Sequence, residues 1–352
     1  MNLPTLPPAH TPYDLERVLE FEFVRATENA ALNAIHWLGR GDKEKGDAAA
    51  CDAIYGVFDM LDIRAEVVIG EGVKDNAPGI FVGERLGTWK EGSPRFNIAL
   101  DPVDGTTNLS KGMPNSISVI AAAQVPEGAS NVMRHLPSYY SYKIAYGPAV
   151  ALALQRAGDP NLLDMPLPEV LRLAAQALGK HVRDLVVMTL DRPRHAAIIR
   201  GVRETGAGLR MISDGDITAA VAPSLPESGV DLYVGAGGSP EAVLAAAALK
   251  CLGGDMQVRM WFHEEAHRVQ VAAQVPPEDL QRVYRVNDLV TGGSALFCAT
   301  GISDSALLPG IKVIGHRAET HSILMRARSR TVRRIHAVHH LDHKRIPLRS
   351  RP

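Results

Sequence analysis

No apolar run in these 352 residues approaches the ~20 that a membrane helix needs; residues 117–125 and 242–249 are among the longest. No membrane partner is expected from such a chain. Cysteine is scarce. Cys51, Cys251 and Cys298 are odd in number and form no Cys-x-x-Cys pair, which argues against a disulfide framework and a zinc knuckle and makes a reduced, cytoplasmic setting the default. Residues 1–12 hold four prolines but no Lys or Arg. They lack the charged start and apolar centre of a secretory signal, and residues 1–13 read as a disordered tail. Net charge is almost absent as well: 38 basic residues face 39 acidic ones, a formal −1.

That near-zero sum hides a split. Residues 312–352 contain eleven Lys/Arg against only Glu319 and Asp342, a local +9 that leaves −10 for the rest, and six of the thirteen histidines also lie there. An acidic body with a basic end calls for an anion, which can be nucleic acid, a phosphorylated metabolite or the body itself. The same segment has no Phe, Tyr or Trp, so bases would find no stacking platform, and no nucleic-acid partner is expected. Its residues 323–328 and 331–338 alternate like strands. Only 344–352 reads as a free basic tail.

A hydrophobic content of 46% supports a sizeable core in one large domain or two coupled ones. Apolar residues at helical spacing predict a helix over 14–38 ending at Gly39, and a second over 47–61. Residues 65–69, 97–100, 117–124 and 142–146 read as strands. Beyond residue 160 helices and strands alternate: helix 168–178, strand 185–190, helix 195–205, strand 209–212, strand 230–234, helix 241–252. This alternation predicts α/β layers with ligands at loops beyond the strand ends. The expected organisation is an N-terminal half over 14–160, a second half over 161–343 and the tail 344–352. Sheet order is not legible.

The most specific string is Asn97-Ile-Ala-Leu-Asp101-Pro102-Val103-Asp104-Gly105-Thr106-Thr107-Asn108. An apolar strand delivers Asp101, Pro102 ends the ladder for want of an N–H, and Gly105 permits a tight turn after Asp104. Two hard carboxylates then address one set of oxygen-loving cations, with the Thr106 hydroxyl beside them. A plain strand exit with Asp104 as a helix cap is the alternative, and the length of the string in its strand context disfavours it.

This string resembles the metal-dependent, lithium-sensitive sugar-phosphatase superfamily. Further segments narrow the resemblance to the class II (GlpX-type) bacterial fructose-1,6-bisphosphatases: Phe23-Val-Arg-Ala-Thr-Glu-Asn-Ala-Ala31, Trp37-Leu-Gly-Arg-Gly-Asp-Lys43, Val68-Ile-Gly-Glu-Gly72, Arg192-Pro193-Arg194-His195, Asp214-Gly215-Asp216, Gly237-Gly238-Ser-Pro-Glu241 and Ser329-Arg-Thr-Val-Arg-Arg-Ile335. They run in family order from about residue 14 to 345. The resemblance implies an αβαβα sandwich of two sheets with helical layers, the first half binding metal and the second the sugar phosphate. It also implies a homodimer or homotetramer.

By position, the resemblance implies five metal-binding carboxylates, Asp47, Glu71, Asp101, Asp104 and Glu241. Taken singly, Asp47 reads as a cap of the second helix, Glu71 as a turn acid and Glu241 as an acid favoured by a helix start. Two carboxylates about 5 Å apart repel by roughly 3 kcal/mol at an effective dielectric near 20, so five gathered together require cations. Their oxygen-only chemistry suits two or more Mg²⁺ or Mn²⁺ ions. Thr106 and Asp104 are the expected catalytic pair acting on water. Substrate positions fall on Asp104, Gly105, Thr106, Tyr140, Arg194, His195, Ala196, Asp214, Gly215, Asp216 and Gly238. Arg194 can fork onto a phosphate, while His195 can equally be a surface residue and Gly238 a mere turn.

Three departures from the family stand out. Asp104 occupies a position where some class II enzymes have Glu. Ala196 stands where an acid also occurs, and the stretch 255–287, containing His263-Glu264-Glu265, is shorter than in some relatives. The expected reaction is hydrolysis of the 1-phosphate of fructose 1,6-bisphosphate, with sedoheptulose 1,7-bisphosphate a second substrate. An inositol-monophosphatase-like enzyme is the near alternative, weakened because Trp37, Trp89 and Trp261 are followed by Leu, Lys and Phe rather than Asp. A non-hydrolytic nucleotide-binding protein would rest on Gly235-Ala-Gly237-Gly238-Ser-Pro240, where Pro240 breaks the dinucleotide fingerprint.

Overall fold

Residues 15–70 and 79–349 are described by the computed structural model; the expectations for residues 1–13, for Glu71 and for 350–352 lie outside them. The chain begins with α1 (Leu15–Ala34) and α2 (Lys43–Phe58), then runs through β1 (Arg64–Ile69), β2 (Arg85–Leu86), β3 (Arg95–Asp104), the short α3 (Thr106–Lys111) and β4 (Ile117–Gln124). Next come β5 (Tyr140–Tyr146), α4 (Pro148–Arg156), α5 (Leu167–Leu178), β6 (Val186–Leu190), α6 (Ala196–Glu204) and β7 (Gly208–Ile212). α7 (Asp216–Val221), β8 (Leu232–Gly238), α8 (Ser239–Leu252), β9 (Asp255–Trp261), α9 (Glu265–Ala272) and α10 (Val286–Leu289) follow. The closing strands are β10 (Leu296–Gly301), β11 (Lys312–Ile314), β12 (Arg317–Arg326) and β13 (Thr331–His340).

These strands form two mixed sheets. The larger is ordered β11-β12-β10-β4-β3-β1-β2 with β13 paired to β12; the smaller is β7-β6-β8-β5-β9. Three apolar cores separate the layers. One lies between α1–α2 and the large sheet, built from residues such as Phe23, Ile54, Ile98 and Leu324. The central one joins the two sheets through α7 and α8. The third packs α4, α5 and α6 on the outer face of the small sheet. The result is the layered α/β architecture of two sheets and three helical layers. The run 242–249 is apolar all round because α8 is the central helix, covered by a sheet on each side. Strands in this position are buried on both faces, so β4 reads as a continuous apolar run: Val119 and Ala121 face one core, Ile120 and Ala122 the other.

The chain does not divide in sequence as the sheets divide in space. β5 belongs to the small sheet, while β10–β13 return to the large one. Boundaries differ from expectation where side chains outweigh local signals. The second helix starts at Lys43, capped by Asp42, which accepts a hydrogen bond from the Lys45 N–H at 3.0 Å; Asp47 is therefore inside the helix and does not cap it. β3 continues through Pro102 to Asp104, the ladder slipping register between Asp101 and Asp104. The glycines 235, 237 and 238 form strand β8 rather than a turn. Residues 344–349 are not free: Arg349 donates to both Asp59 oxygens at 2.5 and 2.9 Å and lies 3.6 Å above the Tyr55 ring. The basic hairpin is likewise folded onto acids of the body, Arg326 and Arg333 lying 3.6 and 3.5 Å from Glu20 on α1.

Candidate active site

Two Asp-Gly turns, one from each sheet, meet at a single carbonyl. The β3–α3 turn places Asp104 before Gly105, whose φ of 89° is a left-handed value open to glycine. The β7–α7 turn repeats the device with Asp214, Gly215 at φ 88° and Asp216. A Cβ on Gly105 would stand 2.3 Å from the Asn115 carbonyl oxygen, and one on Gly215 2.9 Å from the same atom. Asn108, fully buried, ties the turns together. Its amide donates to the carbonyls of Asn115 (3.2 Å) and Asp214 (3.4 Å), and its own oxygen accepts from the Ser213 hydroxyl at 2.7 Å.

Asp104 is 5% exposed, and its Oδ2 has no hydrogen-bond partner among the described residues. Burial pushes its carboxyl well above the usual aspartate range, and Asp101, Asp216, Asp214 and Glu241 push it further. Asp101 folds back locally, its Oδ1 accepting from the Val103 N–H at 3.0 Å. Glu241 sits in the first turn of α8, three residues after Gly238; a Cβ at Gly238 would fall 1.8 Å from its carboxylate, which would have to move to admit a side chain there. Gly237 makes the same allowance for Asp216. Asp47 is buried on α2, one helical turn from Cys51, and α2 packs on α3 where Gly46 meets Leu109.

A cavity of about 880 Å³ opens beside Asp104 and Glu241. Asp104, Asp214, Asp216, Gly238 and Glu241 line it, together with Tyr140, Arg192, Arg194 and His135. Gly70, next to the undescribed Glu71, is also in its wall. Arg194 donates from Nε to the Ala236 carbonyl at 2.9 Å and lies 5.1 Å over the Tyr140 ring. Arg192 approaches Asp214 at 3.6 Å. Thr106 is half-buried at the first position of α3.

Of the expected site residues, Asp47, Asp101, Gly105, Thr106, His195, Ala196 and Gly215 are not among those lining the cavity. His195 is fully buried; its Nδ1 donates to the Leu190 carbonyl at 2.7 Å and its Nε2 accepts the Ala236 N–H at 2.8 Å, which fixes the neutral tautomer. It acts as a clamp between β6 and β8. Ala196 is exposed, in a separate depression beside Ile199 and Arg200. Asn108, Lys143, Arg192 and His135 had no role assigned from sequence. Lys143 had a signal: a lysine in the middle of an otherwise uncharged strand that the structure buries on both faces.

Among the described residues no three His, Cys, Asp or Glu side chains converge at metal-ligating distance. The donor set nevertheless suits a hard divalent cation. Asp104 carries a buried, unpartnered oxygen held among other carboxylates, and none of the three buried cysteines is among the cavity-lining residues. No helix among the described residues is long and apolar enough to cross a membrane.

Residues 17–339 match the family model described as bacterial fructose-1,6-bisphosphatase, glpX-encoded. The chain is 40% identical over 339 residues to the class 2 fructose-1,6-bisphosphatase of Haemophilus influenzae, covering 93% of this chain and 98% of the relative. It is 36% identical over 341 residues to fructose-1,6-bisphosphatase 1 class 2 of Escherichia coli strain K12, covering 94% of this chain and 97% of the relative.

Proposed function

Because the chain belongs to the glpX-encoded bacterial fructose-1,6-bisphosphatase family, we propose that its cavity is where fructose 1,6-bisphosphate is hydrolysed, at the 1-phosphate, to fructose 6-phosphate and inorganic phosphate. The reaction breaks a P–O bond: water oxygen joins phosphorus, and a proton reaches the departing sugar alkoxide. The observation that carries the proposal is the junction of the Asp104-Gly105 and Asp214-Gly215 turns at Asn115. It brings Asp104 together with Asp214 and Asp216 in a cavity also lined by Tyr140, Arg192 and Arg194.

Divalent-metal dependence follows from the family, and we assign the ions to Asp47, Asp101, Asp104, Glu241 and Glu71, with Mn²⁺ or Mg²⁺ as the expected species. When bound, such ions neutralise the phosphoryl oxygens and make a nearby water more acidic. Thr106 and Asp104 orient that water through the threonine hydroxyl and a carboxylate oxygen. Asp214 and Asp216 accept hydrogen bonds from sugar hydroxyls. Arg194, anchored to Ala236 and to the Tyr140 ring, presents a fixed guanidinium to the second phosphate. Arg192 adds charge beside it. A cytoplasmic homodimer or homotetramer is the form in which we expect the enzyme to work.

Phosphate release from fructose 1,6-bisphosphate, sedoheptulose 1,7-bisphosphate and inositol 1-phosphate, each with Mg²⁺, Mn²⁺ or EDTA, tests the reading. Fructose 1,6-bisphosphate should be the preferred substrate and EDTA should abolish turnover. Preference for inositol phosphate would overturn the assignment.

A further inference from the structure

Lys143 is an ammonium ion with almost no access to water. It stands in the middle of β5, 1% exposed, on the face that looks toward the central layer together with Ser141 and Ala145. Its Nζ donates to Asp216 Oδ2 at 2.5 Å and to the Gly238 carbonyl at 2.6 Å. A lysine is seldom buried unless paired, and here the whole environment is shaped for the pair. Across the ladder Lys143 faces Gly235 on β8, and at Gly237 any side chain would collide with the Asp216 carboxylate. The glycines of β8 thus clear a space on the inner face of the small sheet. Asp216 and Lys143 occupy it, one residue from the turn that holds Glu241.

The pairing divides the acids of the cavity into two kinds. Asp104 has a buried oxygen that no described donor reaches, whereas Asp216, 5% exposed, is matched by a cation the fold itself supplies. We infer that Lys143 is a positioning residue that fixes Asp216 as a neutralised acceptor for sugar hydroxyls and keeps it out of the set of carboxylates that bind divalent cations. Its charge then sets how strongly the neighbouring carboxylates hold those ions. The inference rests on the proposed metal-dependent reading of the same cavity.

The test is a charge cycle read by Mn²⁺ titration calorimetry on the full chain, beside KM and kcat for fructose 1,6-bisphosphate. Lys143→Met removes a positive charge and should tighten Mn²⁺ binding about tenfold or add a bound equivalent. It should also raise KM about tenfold with a smaller change in kcat. Asp216→Asn leaves the lysine uncompensated and should weaken Mn²⁺ about tenfold. The double variant restores neutrality and should return to near wild-type Mn²⁺ affinity. A purely structural lysine would lower the melting temperature without this pattern of signs. If Lys143→Met does not fold, the single Asp216→Asn and the double variant carry the same comparison. Equal Mn²⁺ affinity across the folded variants, with normal uptake by the wild type, overturns this inference alone. A wild-type chain that takes up no Mn²⁺ overturns the metal reading and this inference with it.

Discussion

The two sheets contribute opposite kinds of polar group to one cavity. From the large sheet comes Asp104, buried, unpartnered at Oδ2 and held protonation-prone by burial and surrounding carboxylates. From the small sheet come groups already matched within the protein: Asp216 with Lys143, Arg192 with Asp214, and Arg194 with the Ala236 carbonyl; His195, behind the cavity wall, is matched to two backbone groups. In the proposed reading cations from solution complete Asp104 together with Glu241 from just beyond the end of β8, while the matched groups of the small sheet hold hydroxyls and a phosphate. Preorganised polar groups act without rearranging when charge develops. Cation-dependent groups make activity conditional on metal.

Asp104→Asn breaks the first half of this contrast and should have the largest effect. The amide keeps the shape but cannot supply an anionic ligand, so phosphate release should fall by at least about 10³-fold. The fold should survive. Because the carboxyl's pKa is raised in the folded state, its favourable contribution exists below the unfolded value of about 3.9 and is lost as pH rises through the folded value. Ionising this carboxyl therefore costs stability in the metal-free protein, and the variant should melt no lower than wild type in EDTA while gaining less from Mn²⁺. Full activity in this variant would remove Asp104 from the mechanism.

His195 probes the preorganised half with an intermediate effect. Burial holds its pKa below the usual histidine value, against the backbone hydrogen bond to Leu190, which favours the charged ring. A depressed histidine stabilises the fold above the unfolded value of about 6.5, and that contribution is lost as pH falls through 6.5 toward the folded value. Protonation would also cancel the acceptor that Nε2 offers to the Ala236 N–H. Melting temperatures from pH 7.5 down to 5 should fall more steeply for wild type than for His195→Asn, by up to one proton's linkage. Parallel curves would show that the clamp between β6 and β8 does not titrate.

Of the proposed metal carboxylates, Asp101 and Asp104 were legible because they are local, whereas Asp47, Glu71 and Glu241 were singled out only through the resemblance. Asp101, Asp104 and Gly105 lie within five consecutive residues at the end of an apolar strand. The layered α/β class followed from alternation in the same way. On the preorganised side Arg194, Asp214, Asp216 and Gly238 were singled out through the resemblance, but the Lys143 pairing was not legible, since Lys143 meets Asp216 across 73 residues and Gly238 across 95, and that pairing depends on a strand order no local pattern encodes. Gly235 to Gly238 carry turn-like composition, yet they form a strand because the inner face of the small sheet needs empty positions there. Asp47 was misplaced for the opposite reason: the polar run from Asp42 to Lys45 hid a helix start that a side-chain cap secures.

The smallest expected effect lies on the helix that carries Asp47. Arg349 joins the chain's last described residues to α2 through Asp59 and the Tyr55 ring, and a Cβ on Gly56 would lie 2.1 Å from the Pro347 carbonyl oxygen. The guanidinium is 40% exposed, so solvent screening limits the ion pair, and stacking on tyrosine adds a comparable amount. Arg349→Ala should therefore destabilise by roughly 1 kcal/mol, a melting shift of about 1–3 °C for a chain of this size. KM for the sugar bisphosphate should stay unchanged, because no substrate-facing group of the small sheet is touched. Mn²⁺ affinity is the sharper readout. If the strap serves only the fold, affinity will match wild type; if it also holds α2 in register, affinity will drop while KM does not move. That second result would extend the contrast between the sheets to the C-terminal segment, placing it on the side that metal completes.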